Sequence, residues 1–203
     1  MDKWEELADK KSIDKTVASL KANGIEAIVV ENGKEASGKL FEILPKGAEV
    51  MTMSSVTLDE TGIAKKITES NDYNEVKKTL MKMDRKTQGK EMNRLGAAPD
   101  WAIGSVHAVT QDGSVLIASN TGSQLPAYVY GASKVIWVVG TQKIVENFDE
   151  GVKRLYEHTL KLESERLKKL YGVPSFVSKL LIMNRENIKG RITMILVKEK
   201  LGF

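Results

Sequence analysis

The sequence contains no cysteine and only two histidines, His107 and His158. Those absences exclude disulfides, thiolate metal sites, iron–sulfur ligation and a cysteine nucleophile, and they leave too few imidazoles for a zinc site. No iron–sulfur cluster or metal is therefore expected in this chain. No apolar run nears the ~20 residues that cross a bilayer. The opening MDKWEELADKK is charged from its second residue and lacks the apolar core of a secretory leader, so a cytoplasmic location is expected. A compact arginine cluster is also missing: 31 basic residues are interspersed among 27 acidic ones, for a formal charge of +4. That mixed surface is not the concentrated basic face a nucleic-acid binder needs. Neither nucleic acid nor membrane is expected as a partner.

What is present suits one domain. A chain of 203 residues with 41% hydrophobic side chains can bury a full core. Apolar residues at three-to-four spacing predict a helix over residues 2–22, with 1–24 as an N-terminal helical extension. β-branched IEAIVV (25–30) predicts a strand, Ala36 to Leu44 a helix, and AEVMTM (48–53) a second strand. A helix over 57–69 follows. The polar stretch 71–95 has sparse apolar residues at helical spacing, interrupted at Gly89, and either presents a solvated face or forms a mobile helical flap over 71–96. After Pro99 come Trp101–Val106, continued through His107–Thr110, and then Val115–Ala118. The Gln111-Asp112-Gly113-Ser114 turn between them predicts a hairpin near residue 112. SKVIWVVG (133–140) is the most apolar run and belongs in the middle of a parallel sheet. One long amphipathic helix is expected over 148–170, a segment of either type over 176–183, and a last strand at ITMILV (192–197). This alternation indicates an α/β domain with a mainly parallel sheet.

The chemistry must come from the polar loops. The stretch 54–62 leaves a strand end and enters a helix, where open α/β sheets bind ligands and where backbone N–H groups favour an anion. Ser54, Ser55 and Thr57 are candidates there, although Thr57 to Glu60 also matches a capping box. His107 is a candidate general acid or base. Asp112 is a second weak catalytic candidate, or simply a turn residue. Ser105, Thr110 and Gly113 belong to the same region, and Thr121, Gly122, Ser123 and Gln124 form another polar loop. Arg185 and Arg191 are candidates for clamping a carboxylate or phosphate, with surface ion pairs as the alternative. Together these residues indicate a small anionic metabolite as ligand. They form no catalytic constellation legible in sequence, so the reaction stays open. Tyr128, Tyr130 and Trp137 belong either to a homodimer contact or to the core.

The segments SVHAVTQDGS and TGSQLPAY, within Gly104 to Val145, closely resemble the signature region of the LUD-domain family of lactate-utilisation proteins. The C-terminal LKLESERLKKLYGVPSFVSKLLIMNRE and GRITMILVKEKLGF resemble one branch of it. The resemblance spans nearly the whole chain, as a single LUD-type domain over 1–203. It implies a three-layer α/β/α sandwich akin to the sugar-phosphate isomerases and CoA transferases, with ligand loops at Ser54–Thr57, Ser105–Gly113 and Thr121–Gln124. It also implies an accessory or ligand-binding part in oxidising L-lactate to pyruvate beside iron–sulfur partner proteins. A stand-alone enzyme on a small phosphorylated or CoA-linked acid is the alternative, and a metabolite sensor the second. Two departures stand out. Gln111 takes the place where many relatives carry an acid, and the C-terminal cysteine-rich segment of other relatives is absent.

Overall fold

The computed structural model describes residues 3–203. Of the expected helix 2–22, Asp2 lies outside the described residues. A single 3-10 turn at Lys3–Glu5 comes first, and the true helix α1 (Lys10–Ala22) begins only where Asp9 caps it by accepting the Ser12 N–H. There follow β1 (Glu26–Val30), α2 (Gly33–Ile43), β2 (Glu49–Thr52), α3 (Val56–Glu60) and α4 (Ile63–Glu69). Then come β3 (Asn74–Glu75), α5 (Val76–Leu80), α6 (Arg85–Ala97), β4 (Trp101–Gly104), β5 (Ala108–Thr110) and β6 (Val115–Ser119). A π turn (Ala127–Gly131) leads into β7 (Lys134–Gly140), and a 3-10 turn (Thr141–Lys143) into β8 (Ile144–Val145). The chain ends with α7 (Phe148–Arg154), a π turn (Leu155–Thr159), α8 (Leu160–Tyr171), β9 (Lys179–Met183) and β10 (Ile192–Val197).

Six strands form one sheet in the order β1-β10-β7-β4-β2-β3, and every pairing in it is parallel. The apolar run of β7 is central, as its composition requires. Its alternation divides two cores: Val135, Trp137 and Val139 face one cluster, Ile136 and Val138 the other. On the second face Leu40, Leu58, Ile63 and Ile67 bring α2, α3 and α4 against the sheet. On the first face lie Leu20 of α1, Tyr128 of the π turn and Val109, Val115 and Ile117. Those last three belong to a second, four-stranded sheet, ordered β8-β5-β6-β9. Trp4, Ala108, Leu116, Val145 and Leu155 close a third small core beyond it. The α/β class with a mainly parallel sheet is thus the one the sequence indicates, with the second sheet as an addition.

Several local readings change. The expected strand 101–110 is two strands in two sheets, because the chain leaves the main sheet at Ser105–His107. The hairpin does form, with Val109 opposite Val115 and Gly113 at φ +88°, but within the second sheet. Helix 57–69 is broken at Gly62 into α3 and α4. The capping box is absent: Ser55 precedes the helix, Thr57 lies inside it, and Glu60 accepts the Gly202 N–H at 2.7 Å. Gly89 does not interrupt α6, since one interior glycine costs only about 1 kcal/mol. The ambiguous 176–183 segment is a strand from Lys179, antiparallel to β6.

Candidate functional site

Three parallel strands deliver the site from their C-terminal ends. β2 runs into Met53–Thr57, β4 into Ser105–His107 and β7 into Thr141–Lys143. The last two are crossovers with a shared geometry: β4 and β7 are neighbours in the main sheet, and their continuations β5 and β8 are neighbours in the second. Between the sheets the two crossovers run side by side and floor a cleft of about 220 Å³. Its walls come from the Ala118–Gln124 loop, the π turn at Leu155–Thr159, α8 and Ser175–Val177. Open α/β sheets bind ligands in this position.

Lys143 stands at the centre of the floor. It is 2% exposed, yet its Nζ donates only to hydroxyls, Thr57 Oγ1 at 3.0 Å and Ser105 Oγ at 3.2 Å. No described carboxylate lies within ion-pair distance of it. Burial disfavours its charged form and the Arg154 guanidinium adds repulsion, so the amine falls from its ordinary value to about 7 despite some attraction from Glu60. Neither composition nor motif marks Lys143. The one signal available was a lysine set between two strand-like runs, directly after the most apolar strand.

His107 lines the same cleft. Its Nδ1 accepts the Ala118 N–H at 3.1 Å, so in the neutral ring the proton sits on Nε2. Burial, reinforced by Lys143 and Arg154, lowers its pKa to about 3. A general base near neutrality is therefore not what this imidazole provides. It is a neutral hydrogen-bond donor, as suits an oxygen of a bound anion. Behind it the wholly buried Arg154 donates to the His107 carbonyl at 2.6 Å and to Thr159 Oγ1 at 2.9 Å. Neither Ser54 nor Ser55 spends its hydroxyl on another described side chain or backbone group, and both line the cleft. Tyr128 reaches the floor across Gly104, where a Cβ would stand 1.7 Å from the phenol oxygen. On the wall, Glu163 pairs bidentately with Arg166 at 2.7 and 2.8 Å.

The sequence candidates divide sharply. Ser54, Ser55, Thr57, Ser105, His107, Thr121 and Gln124 line the cleft. Thr121 and Ser123 bond each other, Gly122 donates to Ser119, and Gln124 accepts from Ser119 at 3.0 Å, so much of that loop is internally engaged. Thr110, Asp112 and Gly113 lie elsewhere, because the hairpin turn points to the far end of the fold: Asp112 bonds Thr110 within the turn, and its carbonyl accepts from Asn23. Arg191 is no clamp. It is 3% exposed and spends four of its five N–H donors on Glu186 at 2.7 Å and on the carbonyls of Ala127, Tyr128 and Ala132. Arg185 is exposed at that same end and does not reach the cleft. No residue of 71–96 lines the cleft in this structure. Tyr128 and Trp137 are core residues, in edge-to-face contact at 5.5 Å, which removes them from any dimer contact, while Tyr130 is 85% exposed. α3 adds little helix dipole to the backbone N–H groups of 54–62, since it has five residues and an acid, Asp59, in its first turn.

Among the described residues no group of three or more His, Cys, Asp or Glu side chains is placed to hold a metal ion, and no helix is long and apolar enough to cross a membrane. A family profile described as the LUD domain matches residues 13–202. A crystal structure of a DUF162 family protein from Deinococcus radiodurans superimposes with a TM-score of 0.58 at 13% identity, covering 95% of this chain and 99% of that one, which shows the fold. eIF2B beta from Chaetomium thermophilum is similar over 60% of this chain and 42% of its own, at 16% identity and a TM-score of 0.40. A search of curated protein sequences finds no match.

Proposed function

This chain belongs to the LUD-domain family, and on that premise we propose that it acts in the cytoplasm as the small-acid-binding component of a system oxidising L-lactate to pyruvate. Its cleft takes a short 2-hydroxy or 2-oxo carboxylic acid. Iron–sulfur partner proteins, which the family resemblance implies, carry the two electrons that this oxidation removes. The observation that carries the reading is Lys143, a buried amine with hydroxyl partners and no described carboxylate within ion-pair distance. Such a group gains most when an anion arrives to meet it. His107 Nε2–H and the unspent hydroxyls of Ser54 and Ser55 supply neutral donors around the same space. Met53, Val106, Tyr128 and Leu155 offer an apolar floor to a short hydrocarbon.

Size favours this reading over a CoA-linked substrate. At about 220 Å³ the cleft lies below the roughly 300–1,000 Å³ typical of drug-sized ligands. Thermal-shift and calorimetric titration at pH 6 with L-lactate, pyruvate, a sugar phosphate and a CoA ester test it. Lactate and pyruvate should stabilise the protein as mass action requires, and the CoA ester should not. Stabilisation by the sugar phosphate alone would instead favour a stand-alone enzyme on phosphorylated acids or sugars. No response to any of the four would refute a ligand site of this kind.

A further inference from the structure

Resting on the small-acid site above, we propose that Lys143 forms a covalent imine with the carbonyl carbon of a 2-oxo acid bound in the cleft. The first support is hydrogen-bond stoichiometry. Thr57 Oγ1 spends its own proton on the Leu201 carbonyl at 3.2 Å, so towards Lys143 it can only accept. Ser105 Oγ likewise accepts from Nζ. Two acceptors match the two N–H bonds of a neutral amine, and the remaining tetrahedral position of Nζ is left for a lone pair. An ammonium would have a third N–H and no carboxylate to receive it.

The second support is placement. Lys143 ends a 3-10 turn between β7 and β8, and the preceding Gln142 ties that turn to the Leu201 carbonyl at 2.9 Å. Gly202 packs so closely over the pair that a Cβ there would lie 2.4 Å from Thr57 Oγ1 and 3.4 Å from Nζ. The amine is held rather than free to sweep through solvent, which is the preorganisation a nucleophile needs. Burial and the Arg154 charge bring its pKa to about 7, so a large share is neutral at physiological pH. His107, neutral and donating from Nε2, can hold the carboxylate or carbonyl oxygen without taking the proton that attack releases.

The chemistry balances without any redox partner. The Nζ lone pair forms a bond to the carbonyl carbon, the C=O π pair moves to oxygen, and a proton passes from nitrogen to that oxygen. The resulting carbinolamine breaks its C–O bond and loses water, whose second hydrogen also comes from the amine, leaving C=N. A hydroxy acid, having no carbonyl, cannot enter this step. The same site would therefore hold lactate reversibly and pyruvate covalently.

Reductive trapping decides the matter. The full-length protein is incubated with pyruvate and sodium cyanoborohydride at pH 7.5 and read by intact mass and peptide mapping, with pyruvate binding measured separately by calorimetry. The expected result is one adduct with the mass of pyruvate less one oxygen atom, located on Lys143. Its yield should exceed that on exposed lysines on the order of a hundredfold, because an ordinary ammonium with a pKa near 10.4 is only about a thousandth deprotonated at neutrality. Lys143→Arg should keep the positive charge and lose the adduct. Mapping the wild-type peptide settles the site even where that variant fails to fold. Pyruvate binding with no adduct would overturn the imine and leave the binding site standing. Neither binding nor adduct would overturn both. Adducts spread evenly over surface lysines would also refute the proposal.

Discussion

The two ends of the main sheet hold polar groups in opposite conditions. At the N-terminal ends of the strands, the buried Arg191 guanidinium is held by Glu186 and three carbonyls, and the hairpin turn closes its own bonds through Thr110, Asp112 and Ser114. At the C-terminal ends, Lys143 is buried with one position of its Nζ unfilled, and the partly buried His107 keeps an Nε2–H with no described partner. Both ends are polar, but only at the C-terminal end do unspent polar groups line a cleft. Chemical variety in a loop is therefore a poor guide to function, and what matters is how much of that variety the fold has already consumed.

The contrast can be broken by substitution, and the largest effect should come from the N-terminal end. Arg191→Met should cost about 3–5 kcal/mol in a denaturant titration, because it strands the Glu186 carboxylate and several carbonyls. The variant that remains folded should bind pyruvate as the wild type does. Lys143→Met should weaken acid binding on the order of a hundredfold by calorimetry, the loss of a charge-assisted contact. The same change should raise stability. Folded Lys143 takes a proton only below about 7, whereas the unfolded side chain takes one below 10.5. Between those values the unfolded state binds more protons, so wild-type stability rises with pH across that window. The advantage of Lys143→Met should be full below about pH 7 and fade as pH approaches 10.5.

Smaller effects sharpen the same comparison. His107→Phe should weaken binding about tenfold through loss of one neutral donor. Wild-type stability should also decline as pH falls from 6.5 toward about 3, where unfolded histidine takes a proton that folded His107 refuses, and the substitution should flatten that slope. Asp112→Ala, at the spent end, should cost no more than about 1 kcal/mol and leave binding unchanged.

Much of the frame could be read from residue order alone. VIWVVG and ITMILV are continuous apolar runs with no choice but the sheet interior, and Asp112-Gly113 specified its hairpin through local turn chemistry. The departure of the chain at Ser105 into a second sheet could not be seen, because strand residues look alike whichever sheet receives them. Ser54, Ser55, Thr57, Ser105 and His107 were recognisable as loop polar groups at strand ends. Arg185 and Arg191 had the right chemistry, but they precede β10 and so lie at its N-terminal end. Lys143 was invisible because a lysine is normally solvated. Its burial comes from the packing of two crossovers that are distant in sequence from each other and from Leu201.

The state of the Lys143 amine is the most direct test of this account. Titration of the protein carrying 13C-labelled lysine, followed by NMR at the Cε resonances with Lys143→Arg as assignment control, reads it directly. One lysine should titrate near 7, far below the rest, and that resonance should respond to added pyruvate. A Lys143 resonance with an ordinary lysine pKa, indifferent to the acid, would contradict the claim that this end of the sheet is held ready for a ligand.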